Sequence, residues 1–133
     1  MASLDQVMKL PGALAAFEFR GSGELLQHRS TDPDTFTPEM LDLLAHMCAA
    51  NASMAAMQAR GWESVSQLEG FYPIHQCTLF GLDWSVVISG VKREAEKVEG
   101  AQLLPPFSGV VLDNADADYE ATFQALERAG GEV

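Results

Sequence analysis

The spacing of hydrophobic and polar residues changes along this chain, and each change marks a boundary between predicted strands and helices. Residues 13–19 and 24–29 predict two strands. After Gly61, alternation with period two, which is typical of half-buried strands, runs through residues 63–69, 75–80 and 84–89. Gly21-Ser22-Gly23 separates the first two of these segments, so they predict a β-hairpin. Residues 109–112 form a shorter apolar run and predict a strand remnant.

Short helices are predicted near both ends of the chain. Ser3 and Gln6 have the spacing of a capping box, so a helix is expected to run from there through Lys9. Asp116 predicts the cap of a last helix over 116–131. The apolar stripe of that last helix consists of Tyr119, Phe123 and Leu126.

The long central helix has the most distinctive pattern of apolar and polar residues in the chain. Thr37 predicts its N-cap, Pro38 suits its first position, and we expect it over 38–60 with Gly61 as the C-cap. At about 100° per residue, its polar arc holds only Asp42, His46, Ser53 and Arg60. The first stripe, as we name it, is Leu43, Met47, Ala50, Met54 and Met57. The second stripe is Leu41, Leu44, Cys48, Ala52, Ala55 and Ala59.

A helix with two apolar stripes needs two packing partners. The predicted sheet can cover one stripe, and the pattern leaves open which one. For the other we expect a second copy of the chain, because wide apolar faces usually mark buried contacts. The alternative is an intramolecular cover by residues 91–109, a charged segment with Pro105-Pro106 that predicts a surface excursion.

Asn51 lies between the two stripes and is the residue expected to hydrogen-bond across such a dimer and set its register. The predicted dimer interface is therefore Leu43, Met47, Ala50, Asn51, Met54 and Met57.

The order of these elements predicts an α+β fold, an antiparallel sheet with helices on its faces. The 133 residues suit one domain with one core, and no internal repeat suggests another.

Composition narrows the classes of partner. The net charge is −11, from 8 basic and 19 acidic residues, which argues against nucleic acid and anionic membranes as partners. No apolar run reaches the roughly 18 residues of a membrane span, and the first residues do not have the pattern of a secretory signal. A cytoplasmic location is the expectation. The 2 cysteines favour free thiols over a disulfide framework.

No combination of residues predicts a catalytic, cofactor or metal site. His46 and Cys48 point to different sides of one helix, and His75 with Cys77 supplies only two metal ligands. Residues 116–127 resemble the spacing of a calcium-binding EF-hand loop, but its turn glycine is replaced by Ala121. Cys48 and Cys77 are interpreted as small core residues.

Several segments resemble the roadblock/dynein light-chain superfamily, and most closely a family of small uncharacterised bacterial roadblock-like proteins. They are Leu4-Asp5-x-x-Met8-x-Leu10-Pro11-Gly12, Ala15-Ala16-x-Glu18-Phe19-x-x-x-Gly23-Glu24-Leu25, Met47-Cys48-Ala49-Ala50-Asn51, Met57-Gln58-Ala59-x-Gly61, and the C-terminal Gly109-Val110-Val111, Asp118-Tyr119 and Phe123-x-x-Leu126. The resemblance covers the chain except 91–108, which we interpret as a surface insertion. It implies a roadblock/profilin-like five-stranded antiparallel sheet between helices. It also implies a homodimer in which the sheets join and the long helices pair.

The resemblance further implies a non-catalytic platform, since roadblock proteins regulate small GTPases or act as adaptors, and the closest branch occurs in sulfur-oxidising bacteria. The expected partners are a second copy and a small GTPase or a metabolic complex linked to sulfur oxidation. One alternative is a small-molecule sensor or carrier, with a pocket between sheet and helix lined by the methionines and Trp84. Another is an enzyme using His75 and Cys77.

Overall fold

The computed structural model of the protein describes residues 3–91 and 104–131. Its elements, in chain order, are α1 (Leu4–Val7), β1 (Ala13–Phe19), β2 (Leu25–Ser30), α2 (Pro38–Ser66), β3 (Gln76–Phe80), β4 (Trp84–Val91), β5 (Leu104–Asp113) and α3 (Tyr119–Gly131). The strands form one five-stranded sheet in the order β2-β1-β5-β4-β3, and every neighbouring pair is antiparallel. This confirms the predicted α+β class and the five-stranded antiparallel sheet.

The sheet is covered on both faces, because alternate side chains of each strand point in opposite directions. On the α2 face, Phe17, Phe19 and Val111 join Leu41 and other α2 residues in one buried cluster. On the opposite face, Val87, Val110 and Leu112 pack with residues of α1 and with Leu126 of α3. Both faces are thus apolar, which explains the consecutive apolar residues Val86-Val87-Ile88 of β4 and Val110-Val111-Leu112 of β5.

The N-terminal caps of the helices follow the predicted chemistry with one correction. Ser3 and Gln6 form the complete capping box of α1, although that helix ends at Val7 and not at Lys9. The Thr37 hydroxyl accepts a hydrogen bond from the Met40 amide at 3.2 Å, which caps α2. The cap of α3 is Asp118, whose carboxylate accepts from the Ala121 amide at 3.0 Å, so the expectation of Asp116 was wrong.

The C-terminal end of α2 is the largest difference from the predicted elements. The helix does not stop at Gly61 but continues to Ser66, and Gln67 caps it with a left-handed φ of 62°. The Glu63 carboxylate accepts hydrogen bonds from the Phe71 and Tyr72 amides at 2.7 and 2.6 Å, which holds the following loop against the last turn. The strand predicted over 63–69 is therefore wrong, because these tertiary contacts override local alternation.

The fifth strand comes instead from β5, of which only residues 109–112 were predicted. It begins at Leu104, so Pro105 and Pro106 lie at its start, where a strand tolerates proline. Residues 104–108 of the predicted excursion thus belong to the sheet, while 92–103 lie outside the described residues and the insertion there stays a prediction. Within the described ranges, none of the helices has the length and apolar character to cross a bilayer.

Candidate interaction surface

The two stripes of α2 have different environments. The second stripe faces the sheet: Leu41, Leu44, Cys48, Ala52 and Ala59 are buried, and Ala55 is half-buried. Alanines at 45, 49 and 56 are buried beside it. Small side chains let the helix approach the strands closely, so the sheet of the same chain covers this stripe.

The first stripe faces away from the protein core. Leu43 is 73 % exposed, Met47 46 %, Met54 55 % and Met57 70 %. Ala50 is exposed and Asn51 is half-buried. The structure therefore brings all the predicted interface residues to one side of α2, where the described part of the chain leaves them largely uncovered. Exposed apolar surfaces of this kind are typical of contacts with other molecules, and the interface itself stays a prediction.

The polar arc of α2 has two roles. The Asp42 carboxylate accepts a hydrogen bond from the Leu25 amide at 3.0 Å, which ties the helix to β2. The Asp42 carbonyl lies 2.7 Å from Nδ1 of His46, and Ser53 and Arg60 are exposed to solvent. Asn51 donates its amide to the Met47 carbonyl at 2.8 Å within the helix. Its expected hydrogen bond across an interface stays a prediction.

The two edges of the sheet also differ. On β2, Arg29 donates to the Asp5 carboxylate of α1 at 3.0 Å, so charged side chains line that edge. The other edge, β3, has the sequence Gln-Cys-Thr-Leu-Phe and carries no charge. Natural sheets normally protect a free edge with charges, proline or a cover. Within the described residues, this uncharged edge lies close to Met47 of the exposed first stripe.

A groove joins the first stripe to the β3 edge. It has a volume of about 320 Å³ and is lined by Met47, Leu79, Phe80, Gly81, Leu82, Trp84 and Val86. Leu82 is 95 % exposed and Phe80 64 % exposed. Sequence reasoning missed Leu79, Phe80 and Leu82; the absence of charge in the 75–80 segment was the available signal.

The cysteines lie in the interior between α2 and the sheet. Cys48 and Cys77 border a void with Asn51, Leu79, Val86 and Ile88 that is too tight for a water molecule. Burial, with a smaller effect of Cys77, raises the pKa of the Cys48 thiol to about 12. Burial also raises the pKa of the Cys77 thiol. A nucleophilic cysteine needs a lowered pKa, so these environments disfavour the enzyme alternative.

The groove and the void differ in how much space they offer to a ligand. The predicted pocket between sheet and helix corresponds to the tight void, whereas Met47 and Trp84 line the open groove. Across residues 3–91 and 104–131, no three histidine, cysteine or acidic side chains converge as metal ligands.

Comparison with known proteins agrees with this architecture. The model of a family described as an uncharacterized conserved protein (DUF2173) matches residues 3–94. No match was found among curated proteins.

Three solved structures are similar over most of the chain. One is the gliding protein MglB from Thermus thermophilus, with 19 % identity, 98 % of this chain and 87 % of that chain covered, and a TM-score of 0.64. A structure of MglB with a tetrameric arrangement shares 18 % identity, covers 96 % and 84 %, and has a TM-score of 0.64. A roadblock/LC7 domain from Streptomyces avermitilis shares 13 % identity, covers 93 % and 84 %, and has a TM-score of 0.65. The chain has the roadblock/LC7 fold.

Proposed function

The chain belongs to the DUF2173 family. We propose that it is a non-catalytic homodimeric platform, and that the surface formed by the two copies binds a protein partner. The observation that carries the proposal is the first stripe: four large apolar side chains, between 46 and 73 % exposed, lie on one face of α2. Leaving this area in water is unfavourable, and a second copy of the chain removes it from water.

The β3 edge supports a second copy as the occupant. On its outer side β3 pairs with no other strand of the described residues, and its backbone groups there can bond to the same strand of another chain. Antiparallel pairing of identical strands is compatible with two-fold symmetry. The groove makes this edge continuous with the first stripe through Met47 and Leu79. One two-fold axis would therefore join the sheets and bring the α2 helices together on the same face. The tetrameric arrangement of the similar MglB structure is a further sign that this fold self-associates.

The proposal is tested by placing a charge on the first stripe. Met47→Glu should weaken dimerisation on the order of 100-fold, because a carboxylate loses its hydration in an apolar interface. Light scattering and sedimentation across a range of concentrations measure the dissociation constant. Ser53→Glu is the matched control, since it adds the same charge to the same helix on its polar arc and should leave the constant unchanged.

Two results contradict the proposal. A wild-type chain that remains monomeric at high micromolar concentration would exclude the homodimer. A dimer that tolerates Met47→Glu as well as Ser53→Glu would place the interface elsewhere on the molecule. Circular dichroism of both variants establishes that each is folded.

The partner is proposed from the roadblock resemblance and from charge. A net charge of −11 favours a partner with a basic contact surface. The resemblance points to a small GTPase, or to a metabolic complex linked to sulfur oxidation, in the cytoplasm. Affinity purification from the source cells, with the wild type and with Met47→Glu as baits, distinguishes the two partners. A small GTPase retained by the wild type supports a GTPase partner, and a retained metabolic enzyme supports the metabolic complex.

A small-molecule carrier is the second candidate, and the groove of about 320 Å³ favours it. That volume is at the lower end of ligand pockets, and its lining is apolar. Native mass spectrometry of protein purified from its source cells would detect a retained ligand. Finding only the mass of the polypeptide would weigh against this function.

A further inference from the structure

Gly61 has no explanation within the described chain. It lies inside α2, five positions before Ser66, and it is not among the glycines with positive φ, which are Gly12, Gly23 and Gly70. A Cβ built on Gly61 would meet no atom within 4 Å. Glycine is the poorest helix former after proline, so alanine at this site would favour the helix. Nothing among the described residues packs on this position, so a contact with a second copy of the chain is the explanation that we develop here.

The position of Gly61 extends the first stripe. Leu43, Met47, Ala50, Met54, Met57 and Gly61 follow one another at alternating steps of four and three residues. This is the heptad spacing of helices that pack side by side. All six positions are exposed. The extended stripe thus contains two small positions, Ala50 and Gly61, among four large ones.

The proposed β3 pairing gives the level of the two-fold axis along α2. Met47 lines the groove with Leu79 and Phe80, and Asn51 borders the void with Cys77 and Leu79. Further along α2, Arg60 donates to the Tyr72 hydroxyl at 2.8 Å, four residues before β3 begins at Gln76, so later positions of α2 meet earlier positions of this part of the chain. Pairing β3 over its whole length centres on Thr78, between Cys77 and Leu79. The axis then passes α2 near Asn51 and Ala52.

An axis at Ala52 pairs positions that are equally far before and after it. Leu43 and Gly61 are each nine residues from Ala52, and Ala50 and Met54 are each two residues away. Each small position therefore faces a large one. Met47 faces Met57, both five residues away, and methionine side chains adapt to each other.

We propose that Gly61 is a notch that receives the partner's Leu43, in an antiparallel pair of α2 helices centred near Ala52. This inference rests on the proposed homodimer and specifies its register. A shift by one heptad in either direction would place Leu43 against Met54, or Met54 against Met57 with Ala50 against Gly61. A parallel pair would place every residue against itself. The shifted registers set Leu43 or Met54 against a methionine, or Ala50 against Gly61, and the parallel pair sets Leu43 against itself. The proposed register limits contact between large side chains to the adaptable pair Met47 and Met57.

Cysteine cross-linking tests the register directly. Chains with Leu43→Cys mixed with chains with Gly61→Cys should form a disulfide-linked dimer on mild oxidation, seen by non-reducing electrophoresis and mass spectrometry. The controls are Leu43→Cys alone and Leu43→Cys mixed with Met54→Cys, which should not cross-link. Self-linkage of Leu43→Cys would support a parallel pair and overturn the proposal. Linkage of 43 to 54 would support the shifted register and also overturn it.

A second measurement uses the opposite effects of alanine on the helix and on the notch. Gly61→Ala should weaken dimerisation roughly 10-fold through overpacking, while the far-ultraviolet circular dichroism shows equal or greater helix content. Adding Leu43→Ala to the same chain should recover most of the affinity. If Gly61→Ala dimerises as tightly as the wild type, Gly61 is not the notch. A wild-type monomer would remove both this inference and the proposed function, whereas a wild-type dimer without the 43–61 link removes this inference alone.

Discussion

The two stripes of α2 are both apolar, yet one is buried and the other is exposed. The second stripe contains three alanines, and buried alanines at 45, 49 and 56 lie alongside it. The first stripe contains leucine and three methionines, all exposed by 46 % or more. The difference lies mainly in the residues that accompany the leucines. Alanines accompany the buried Leu41 and Leu44 where the helix rests on the sheet, whereas methionines accompany Leu43 where the side chains are largely exposed. Hydrophobicity alone does not decide which face of a helix a fold covers.

The strongest test of this comparison removes a leucine from each stripe. Leu41→Ala should lower the free energy of unfolding by about 2–5 kcal/mol, because Leu41 is fully buried and the substitution leaves a cavity. Leu43→Ala, at a residue 73 % exposed, should change the unfolding of the isolated chain by less than about 0.5 kcal/mol. Urea denaturation measures both values.

Protein concentration separates the two contributions further. If the first stripe forms a dimer, the urea midpoint of the wild type rises with concentration, and Leu43→Ala reduces that rise. Leu41→Ala should lower the midpoint at every concentration. Equal losses for the two variants in dilute solution would show that the stripes are not distinct environments.

The sequence predicted the elements whose signals are local and consistent. The strand over 13–19, the capping box of Ser3 and Gln6, and the start of α2 at Thr37-Pro38 all match the structure. The apolar stripe of α3 is correct as well, with Leu126 fully buried. In these places residue preference, capping chemistry and periodicity agree, so no tertiary contact had to be known.

The failures occur where a long-range contact decides the outcome. Gly61 indicated a helix end, but Glu63 binds the amides of Phe71 and Tyr72, which favours continuation to Ser66. Pro105 and Pro106 indicated a break, but they stand at the first positions of a strand that pairs with both β1 and β4. The six residues of the dimer interface stay a prediction, whereas the assignment of the second stripe to the sheet required the structure.

Titration of Cys48 gives a second contrast between the stripes, because none of the first-stripe side chains ionises. Burial raises the pKa of its thiol to about 12 from an ordinary value of 9.0. Between pH 9 and 12 the unfolded thiol therefore loses its proton while the folded thiol keeps it. The unfolded state binds fewer protons, so stability should fall as the pH rises, by about 1.4 kcal/mol per pH unit from this group.

The variant Cys48→Ala isolates this contribution. Its unfolding free energy should be lower at pH 8, because a small cavity forms, but should decline less steeply between pH 9 and 11 than that of the wild type. Urea denaturation at half-unit intervals measures the two slopes. Identical slopes would mean that the Cys48 thiol ionises equally well in the folded chain and hence that the second stripe is open to solvent.

The smallest expected effect concerns the polar arc, which lies between the two stripes. Its residues differ in their contacts. Asp42 accepts a hydrogen bond from the Leu25 amide at 3.0 Å, whereas Ser53 is exposed. Asp42→Ala should cost about 1 kcal/mol, because a partly buried amide on β2 loses its acceptor. Asp42→Asn keeps an acceptor oxygen at the same place and should lose less, and Ser53→Ala should be neutral within about 0.5 kcal/mol. Thermal and urea unfolding of the three variants rank these values.

Equal effects at 42 and 53 would mean that the arc is uniformly solvated and that α2 is held to the sheet by the second stripe alone. A selective loss at Asp42 would show that the orientation of α2, and with it the outward direction of the first stripe, also depends on this polar contact to β2.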